Sequence, residues 1–500
     1  MKPARNRLQP AWARAWDVRA PAAAAAWSAP QPAPCAPGAG GHPLADSAIT
    51  LGLRRRALEI EAGFAAIEPA LRALAPAQFD DGFAARASAQ LQAQLGLDIP
   101  PAALVSDWAA PLDMRGLYAG CVIGTFARLV ARGFDRGLAR CSDGEDAATL
   151  IARWGFHAID ITPCADGRLS GVVDYILRVP PAVVAYRKSY AGAMFDVAES
   201  VRHWEAVELR RWREGMPNHA DALTRFLKIG VYHYSSRDPH HEGCAAHGSN
   251  TGRAAGALLE KLCQFEQAVS HTHANATVAI LLVGVDTDTD AIRVHVPDAA
   301  GAATPERFVD NRDVFDRTQG LARAAAKDAI RDMVADCARV DPNDSATEGM
   351  RWFCGYLLKN NIGQIEAVRN WHGGAYEEAG HTEKLIVVGD AIDDVQLRNL
   401  AFQAQMNTVE EGAADLDIGI KILKGLNLPR GFAVPVLAHF GYDARIPGAK
   451  QAAQTRAQRL RAAILSRHAQ LADKGQLFVQ AMVRAHGQAT LAAIPMELPI

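Results

Sequence analysis

Residues 226–250 read FLKIGVYHYSSRDPHHEGCAAHGSN, a strand-like run that passes directly into a loop rich in histidine. β-Branched and aromatic residues are frequent at positions 226–234, which predicts a buried strand. Further predicted strands of the same texture are 156–162, 182–187 and 278–286. The amphipathic segments that alternate with them are predicted helices near 197–212, 254–270 and 318–337. This alternation predicts an α/β domain that begins near Gly144.

The regions on either side of this domain have different hydrophobic patterns. Residues 46–143 carry helical periodicity and are predicted to form an all-helical domain. A second α/β segment is predicted for residues 382–500, with candidate strands at 384–390 and 431–440 and helices near 408–424 and 449–471. The first α/β domain then covers residues 144–381. The overall class is therefore α/β (α+β), and the two α/β segments are candidates for copies of one unit.

Residues 1–45 form a basic arm that is rich in proline and alanine. They hold 8 of the 26 prolines and 15 alanines, which predicts disorder because little apolar surface can be buried. Trp12 and Trp16 lie four residues apart on one face of a possible short helix, which suits a docking peptide for a partner groove. A solubilising tail, or tryptophans packed on the protein's own surface, explains the same pattern equally well.

Composition excludes several classes of protein. The 500 residues include 53 Lys and Arg against 55 Asp and Glu, a formal charge of −2, so we expect neither nucleic acid nor an anionic membrane as partner. We find no apolar run long enough for a membrane span and no secretory signal, and therefore expect a cytoplasmic protein. The eight cysteines are scattered, which favours buried thiols over a disulfide framework.

Two predicted strands end in residues that suit a metal site. Strand 156–162 leads into Cys164, Asp166 and Arg168, and strand 226–234 leads into a loop that contains Cys244. Two thiolates and one imidazole from neighbouring strand ends would make a three-ligand zinc site with a fourth position left for water. The candidate imidazoles are those of His233, His240, His241 and His247. In the Cys-x-Asp-x-Arg spacing, the arginine would keep the aspartate ionised beside the metal.

Three short strings carry a resemblance to a known family: CADGR at 164–168, GCAAHGSN at 243–250 and GVDTDTDAIRVH at 284–295. With these residues the sequence resembles the β-type carbonic anhydrases, and among them the carboxysomal shell-associated (epsilon) subclass. The resemblance runs from the helical domain to the C-terminal end. The Cys-x-Asp-x-Arg signature is complete in this chain.

The resemblance implies a fold and a metal site. It implies two β-carbonic-anhydrase-like α/β domains, of which the second has no metal, and no cysteine follows Cys354. It also implies one Zn²⁺ per chain, held by Cys164, Cys244 and one histidine. The general β-type pattern H-x-x-C is met by His241, whereas the carboxysomal subclass places the histidine at the strand end, which is His233. A strand end fixes an imidazole better than a polar loop does, so His233 is the favoured ligand.

The implied activity is interconversion of carbon dioxide and bicarbonate through a zinc-bound hydroxide, with Asp166 and Arg168 as supporting catalytic residues. The implied location is the carboxysome, a bacterial microcompartment in the cytoplasm, beside Rubisco. A homodimer or higher homo-oligomer, attached to Rubisco or shell proteins, is implied as well. We expect residues 1–45 to make that attachment, with Trp12 and Trp16 as anchors.

The competing hypothesis is a carboxysome packaging or scaffold protein whose zinc is structural. Such a zinc would have four protein ligands, so both His233 and His241 would coordinate it. The acidic run VDTDTDA at 285–291 looks like a calcium loop but has Ala291 where glycine is needed. We therefore predict turn and capping roles for its aspartates.

Overall fold

The computed structural model describes residues 41–494, apart from 102–103, 107–110, 134–146, 181–183, 217–222, 273–277, 342–347, 379 and 407. Residues 1–40 of the arm, with Trp12 and Trp16, lie outside the described residues, whereas His42 and Leu44 near its end are buried, so the prediction of disorder is wrong for that end. The chain divides into two compact units. The "central unit" comprises the described parts of 32–54 and 135–380, and the "helix-sheet unit" those of 55–134 and 381–500.

The central unit contains a six-stranded sheet in the order β2-β1-β3-β4-β5-β6. The strands are β1 (Phe156–Pro163), β2 (Val184–Arg187), β3 (Arg225–Tyr234), β4 (Val278–Asp286), β5 (Ile292–His295) and β6 (Val309–Asp310). The first four strands in this order are parallel, and β5 and β6 run antiparallel to their neighbours. The predicted strands 156–162, 226–234 and 278–286 are confirmed by β1, β3 and β4, and the described part of the predicted strand 182–187 is confirmed by β2.

The sheet of the central unit is buried among helices, which is why its strands are apolar along most of their length. These helices are α5 (Ala147–Arg153), α6 (Val197–Arg213), α7 (Thr251–Thr272), α8 (Asn311–Thr318), α9 (Arg323–Ala338) and α10 (Glu348–His372). The single helix predicted for 318–337 is wrong at its start. Residues 319–322 separate α8 from α9, and the extended backbone of Ala322 precedes the new helix.

The helix-sheet unit packs helices from the N-terminal region around a five-stranded sheet in one hydrophobic core. Its helices are the later part of α1 (Ser47–Ala65), α2 (Ile67–Leu74), α3 (Phe83–Leu95), α4 (Met114–Arg132), α11 (Val409–Asn427), α12 (Ala449–Arg467) and α13 (Ala469–Asp473). Its strands are β7 (Leu385–Gly389), β8 (Ala401–Ala404), β9 (Val434–Tyr442), β10 (Leu477–Ala485) and β11 (Ala492–Ala493). The predicted helical character of the region before residue 134 is confirmed, and none of the helices in the described ranges is long and apolar enough to cross a membrane.

The two sheets repeat one topology. The order β2-β1-β3-β4-β5 in the central unit corresponds to β8-β7-β9-β10-β11 in the helix-sheet unit, with four parallel strands followed by one antiparallel strand in each. In this correspondence β1 matches β7 and β3 matches β9. The repeat supports the hypothesis that the two α/β segments are copies of one unit.

Candidate metal centre

Parallel pairing of β1 and β3 brings two predicted ligands to the same edge of the central sheet. Pro163, the last residue of β1, pairs with Val231 of β3, and the backbone N–H of Cys164 donates to the carbonyl of Val231 at 3.1 Å. His233 lies two residues further along β3 and points to the same face as Val231. His233 is buried, with only 1% of the residue exposed.

Cys244 completes the cluster from the loop that follows β3. It precedes a short 3-10 turn, Ala245–His247, which leads into α7. Its Sγ lies 4.0 Å from Sγ of Cys164. One ligand atom from each of Cys164, His233 and Cys244 falls within 4.8 Å of the others, and all three residues are buried.

The chemistry of this cluster fits a divalent metal ion. Among the described residues, neither ring nitrogen of His233 has a hydrogen-bond partner, which is unusual for a buried imidazole. The hydrogen bond with Cys244, together with burial, raises the pKa of Cys164 well above its usual value. The same hydrogen bond lowers the pKa of Cys244. The two thiols thus resist simultaneous ionisation, and a cation between them would remove that penalty.

Asp166 and Arg168 form a buried ion pair beside the cluster. The Nε of Arg168 donates to Oδ1 of Asp166 at 3.0 Å and its Nη2 donates to Oδ2 at 2.8 Å, a bidentate pairing. The backbone N–H of Arg168 also donates to Oδ1 at 2.9 Å. Oδ2 of Asp166 lies 3.4 Å from Nε2 of His233, so the carboxylate borders the metal cluster.

The other loop histidines lie apart from this cluster. The side chain of His241 is 80% exposed, and its Nδ1 lies 2.9 Å from Oδ1 of Asp238. His240 is also exposed. His247 is buried, and its Nε2 lies 3.2 Å from the carbonyl oxygen of Gly192. Of the candidate imidazoles, only that of His233 belongs to the Cys-His-Cys group found among the described residues.

Sequence reasoning missed two residues that shape the site. The backbone N–H of Gly192 donates to Sγ of Cys164 at 3.2 Å. Glu242 offers its carbonyl oxygen to Nη1 of Arg168 at 2.8 Å. Glu242 stands inside the quoted loop, but only the fold shows that its backbone meets Arg168. Nothing in the sequence around Gly192 points to a thiol 28 positions earlier.

The corresponding edge of the sheet in the helix-sheet unit has different residues. Gly389 of β7 pairs with His439 of β9, so Asp390 stands where Cys164 stands and Gly441 where His233 stands. Oδ2 of Asp390 accepts the backbone N–H of Gly441 at 2.8 Å. A Cβ at Gly441 would lie 2.8 Å from Nε2 of His486, so a larger residue would need rearrangement there.

Comparison with family models matches almost the whole described chain. Residues 42–134 match the N-terminal model of Carboxysome Shell Carbonic Anhydrase, residues 146–381 match its catalytic domain, and residues 382–496 match its C-terminal model. The chain belongs to the carboxysome shell carbonic anhydrase family. The resemblance read from the sequence is confirmed.

Individual relatives in this family agree over most of their length. The chain is 42% identical to the carboxysome shell carbonic anhydrase of Halothiobacillus neapolitanus over 454 residues, which cover 89% of this chain and 88% of the relative. It is 40% identical to that of Prochlorococcus marinus strain MIT 9313, covering 89% and 86%. It is 38% identical to that of Parasynechococcus marenigrum, covering 99% and 85%.

The tight packing at Gly192 generates a prediction. Its φ is +63°, and a Cβ there would lie 2.6 Å from Nε2 of His247. We expect Gly192→Ala to displace the backbone N–H from Cys164 and to lower both bound divalent metal and the melting temperature. Gly215→Ala is the matched control, because Gly215 has φ +70° and no atom of the described residues lies within 4 Å of where its Cβ would be. In the control, the free energy of unfolding should fall only by about 1–2 kcal/mol, which is what a left-handed backbone costs a non-glycine residue. Equal metal content in the two variants, measured by atomic absorption, would refute this role.

Proposed function

We propose that the chain is a zinc carbonic anhydrase that interconverts carbon dioxide and bicarbonate inside the carboxysome, with one Zn²⁺ per chain. The observation that carries this proposal is the buried group of Cys164, His233 and Cys244, with the Asp166–Arg168 ion pair at its border. Two thiolates and one imidazole are ligands that zinc prefers. Three protein ligands leave a fourth position for a reacting molecule, as catalytic zinc sites do.

Zinc bound there would lower the pKa of a coordinated water and so supply a nucleophile near neutral pH. The chain's own residues would orient the water and the substrate around it. Arg168 keeps Asp166 ionised through the bidentate pairing, so the carboxylate acts as a hydrogen-bond acceptor. An acceptor at the border of the cluster can orient a water molecule for attack on carbon dioxide. The buried position of Arg168 prevents it from turning away to solvent.

The scaffold hypothesis needs a fourth protein ligand. His241 is the candidate for that ligand in the sequence, but its imidazole is exposed and is paired with Asp238. This arrangement supports a three-ligand catalytic site over a four-ligand structural one. The family membership supports the same choice, because the matched central model is described as a catalytic domain.

Variants of the two histidines test the ligand set. We expect His233→Ala to lower both zinc affinity and the rate of carbon dioxide hydration by at least about 100-fold, because it removes one of three ligands. His241→Ala should keep zinc content and hydration within about twofold of the parent, because the exposed side chain lies outside the cluster. The measurements are zinc per chain and stopped-flow hydration. Loss of zinc in His241→Ala with retention in His233→Ala would contradict the assignment.

Attachment to other carboxysome components is proposed for residues 1–45. The arm is basic and carries Trp12 and Trp16, and aromatic anchors of this kind suit a groove on Rubisco or a shell protein. A homodimer or higher homo-oligomer is part of the same proposal.

Removing the arm tests its role. A chain that starts near Leu44 should hydrate carbon dioxide normally but fail to co-assemble with carboxysome components. The full-length variant with Trp12→Ala and Trp16→Ala is the control for loss of the anchors alone. Normal co-assembly of the truncated chain would show that the attachment lies elsewhere.

A further inference from the structure

The last residue of β4 and the loop that follows it include buried aspartates that the proposed chemistry does not use. Asp286 and Asp288 are fully buried. Charged groups are rarely buried to this degree unless protein donors satisfy them. The donors therefore show what the two carboxylates hold in place.

The donors to Asp288, and two of those to Asp286, come from residues 235–237, just beyond His233 and Tyr234; Asp286 also accepts the hydroxyl of Thr289 in its own loop. Oδ2 of Asp288 accepts the hydroxyl of Ser235 and the backbone N–H of Arg237, both at 2.8 Å. Asp286 accepts the backbone N–H of Ser236 at 3.1 Å and its hydroxyl at 2.7 Å. Residues 235–237 are thus bound to the end of the neighbouring strand. This arrangement confirms the predicted turn and capping role of the acidic run.

The acidic loop itself is anchored on its other side to the long helix α10. Oδ2 of Asp290 accepts Nε2 of Gln364 at 2.9 Å and the hydroxyl of Tyr376 at 2.7 Å. Nδ2 of Asn361 donates to the carbonyl of Asp290 at 2.8 Å. The backbone N–H of Tyr376 donates to the carbonyl of Asp288 at 2.8 Å. Because α10 is 25 residues long and largely buried, the loop has a rigid support.

From Ser235 a continuous series of hydrogen bonds reaches the Asp166–Arg168 ion pair at the border of the metal cluster. Oγ of Ser235 accepts the backbone N–H of Asp238 at 2.9 Å. The carbonyl of Asp238 accepts the backbone N–H of Glu242 at 3.0 Å. The carbonyl of Glu242 accepts Nη1 of Arg168 at 2.8 Å, and Arg168 holds Asp166. Each hydrogen bond in the series therefore depends on the position of a group that the preceding bond holds.

We propose that Asp288 is a positioning residue for the carbonic anhydrase reaction. Through Ser235 and Asp238 it fixes the turn that carries Glu242 and Cys244. This turn then fixes the positions of Arg168 and the Cys244 thiol relative to His233. This inference rests on the proposed function, because it concerns the same site.

The need for such a device follows from the chain between the two ligands. Residues 234–243 separate His233 from Cys244, and the nine that follow the end of β3, 235–243, would sample many arrangements if nothing held them. A metal site binds tightly and reacts efficiently only when its ligands and their supporting groups are set in advance. Loss of an outer hydrogen-bond partner typically reduces metal affinity or activity by about 10- to 100-fold.

Adjacent serines provide a matched pair of variants. Ser235→Ala breaks the series between Asp288 and Asp238. Ser236→Ala removes a hydroxyl that bonds Asp286 at 2.7 Å and makes only a longer contact of 3.4 Å to Asp288, and that hydroxyl accepts no bond from the turn that leads towards Cys244. We expect Ser235→Ala to weaken zinc affinity about 10-fold, to alter the thiolate-to-metal absorption of the Co²⁺-loaded protein, and to lower kcat/KM. Ser236→Ala should match the parent in all three.

Substitutions of Asp288 separate hydrogen-bond geometry from charge. In Asp288→Asn, the amide oxygen can occupy the place of Oδ2 and accept the same two bonds, so the Co²⁺ spectrum should stay near that of the parent. In Asp288→Ala both acceptors are lost, and zinc affinity should fall about 10- to 100-fold. Circular dichroism confirms folding of each variant, and Asp298→Ala controls for loss of a loop aspartate that caps backbone N–H groups elsewhere in the unit.

The outcomes are distinct. Equal zinc affinity, Co²⁺ spectrum and kcat/KM in Ser235→Ala and Ser236→Ala would overturn the positioning role. Equal losses in Asp288→Asn and Asp288→Ala would overturn it too, because charge and not the held turn would then matter. A parent that binds Co²⁺ with the expected spectrum but does not hydrate carbon dioxide would refute the proposed function alone, and the spectra of the variants would still test the positioning claim.

Discussion

The contact between the thiols of Cys164 and Cys244, which are 4.0 Å apart and both buried, is the constraint to which the rest of the central unit is fitted. Two thiolates cannot both be charged at this distance in a buried site without a cation. The nearby imidazole of His233 adds a third donor that has no hydrogen-bond partner among the described residues. A divalent metal satisfies all three at once. We therefore take the cluster as the centre of the proposed activity.

The fold explains how residues far apart in sequence reach one point. Parallel strands β1 and β3 end at the same edge of the sheet, where open α/β sheets place their active sites. The loop after β3 then brings back Cys244, and buried aspartates after β4 hold that loop. The helix-sheet unit repeats the topology with Asp390 and Gly441 at the equivalent strand ends. There the carboxylate of Asp390 accepts the backbone N–H of Gly441, so a protein group supplies its hydrogen bond.

Much of this arrangement could be predicted from sequence because it depends on local patterns. The strands of the central sheet are short apolar runs, and the Cys-x-Asp-x-Arg signature directly follows one of them. Physical reasoning about strand ends and loops also favoured His233 over His241, and the structure brings His233 into the Cys-His-Cys group. Whether His233 binds the metal stays a prediction.

Other features could not be predicted because they depend on tertiary contacts. Helix α10 is buried on several sides, and its buried residues include Phe353, Leu357 and Ile362. Its polar and apolar residues therefore do not separate into clear faces. The role of Asp288 depends on Ser235, which lies 53 residues earlier in the chain. Gly192 meets a thiol from another strand end. Sequence spacing gives no information on any of these distances.

X-ray absorption spectroscopy at the zinc edge of the purified full-length protein tests the central claim most directly. We predict two sulfur ligands at about 2.3 Å, one imidazole, and one further light atom that is not a second imidazole. One zinc per chain should accompany that spectrum. Two imidazoles with two sulfurs would indicate a closed structural site and contradict the account, as would a zinc ion without sulfur ligands.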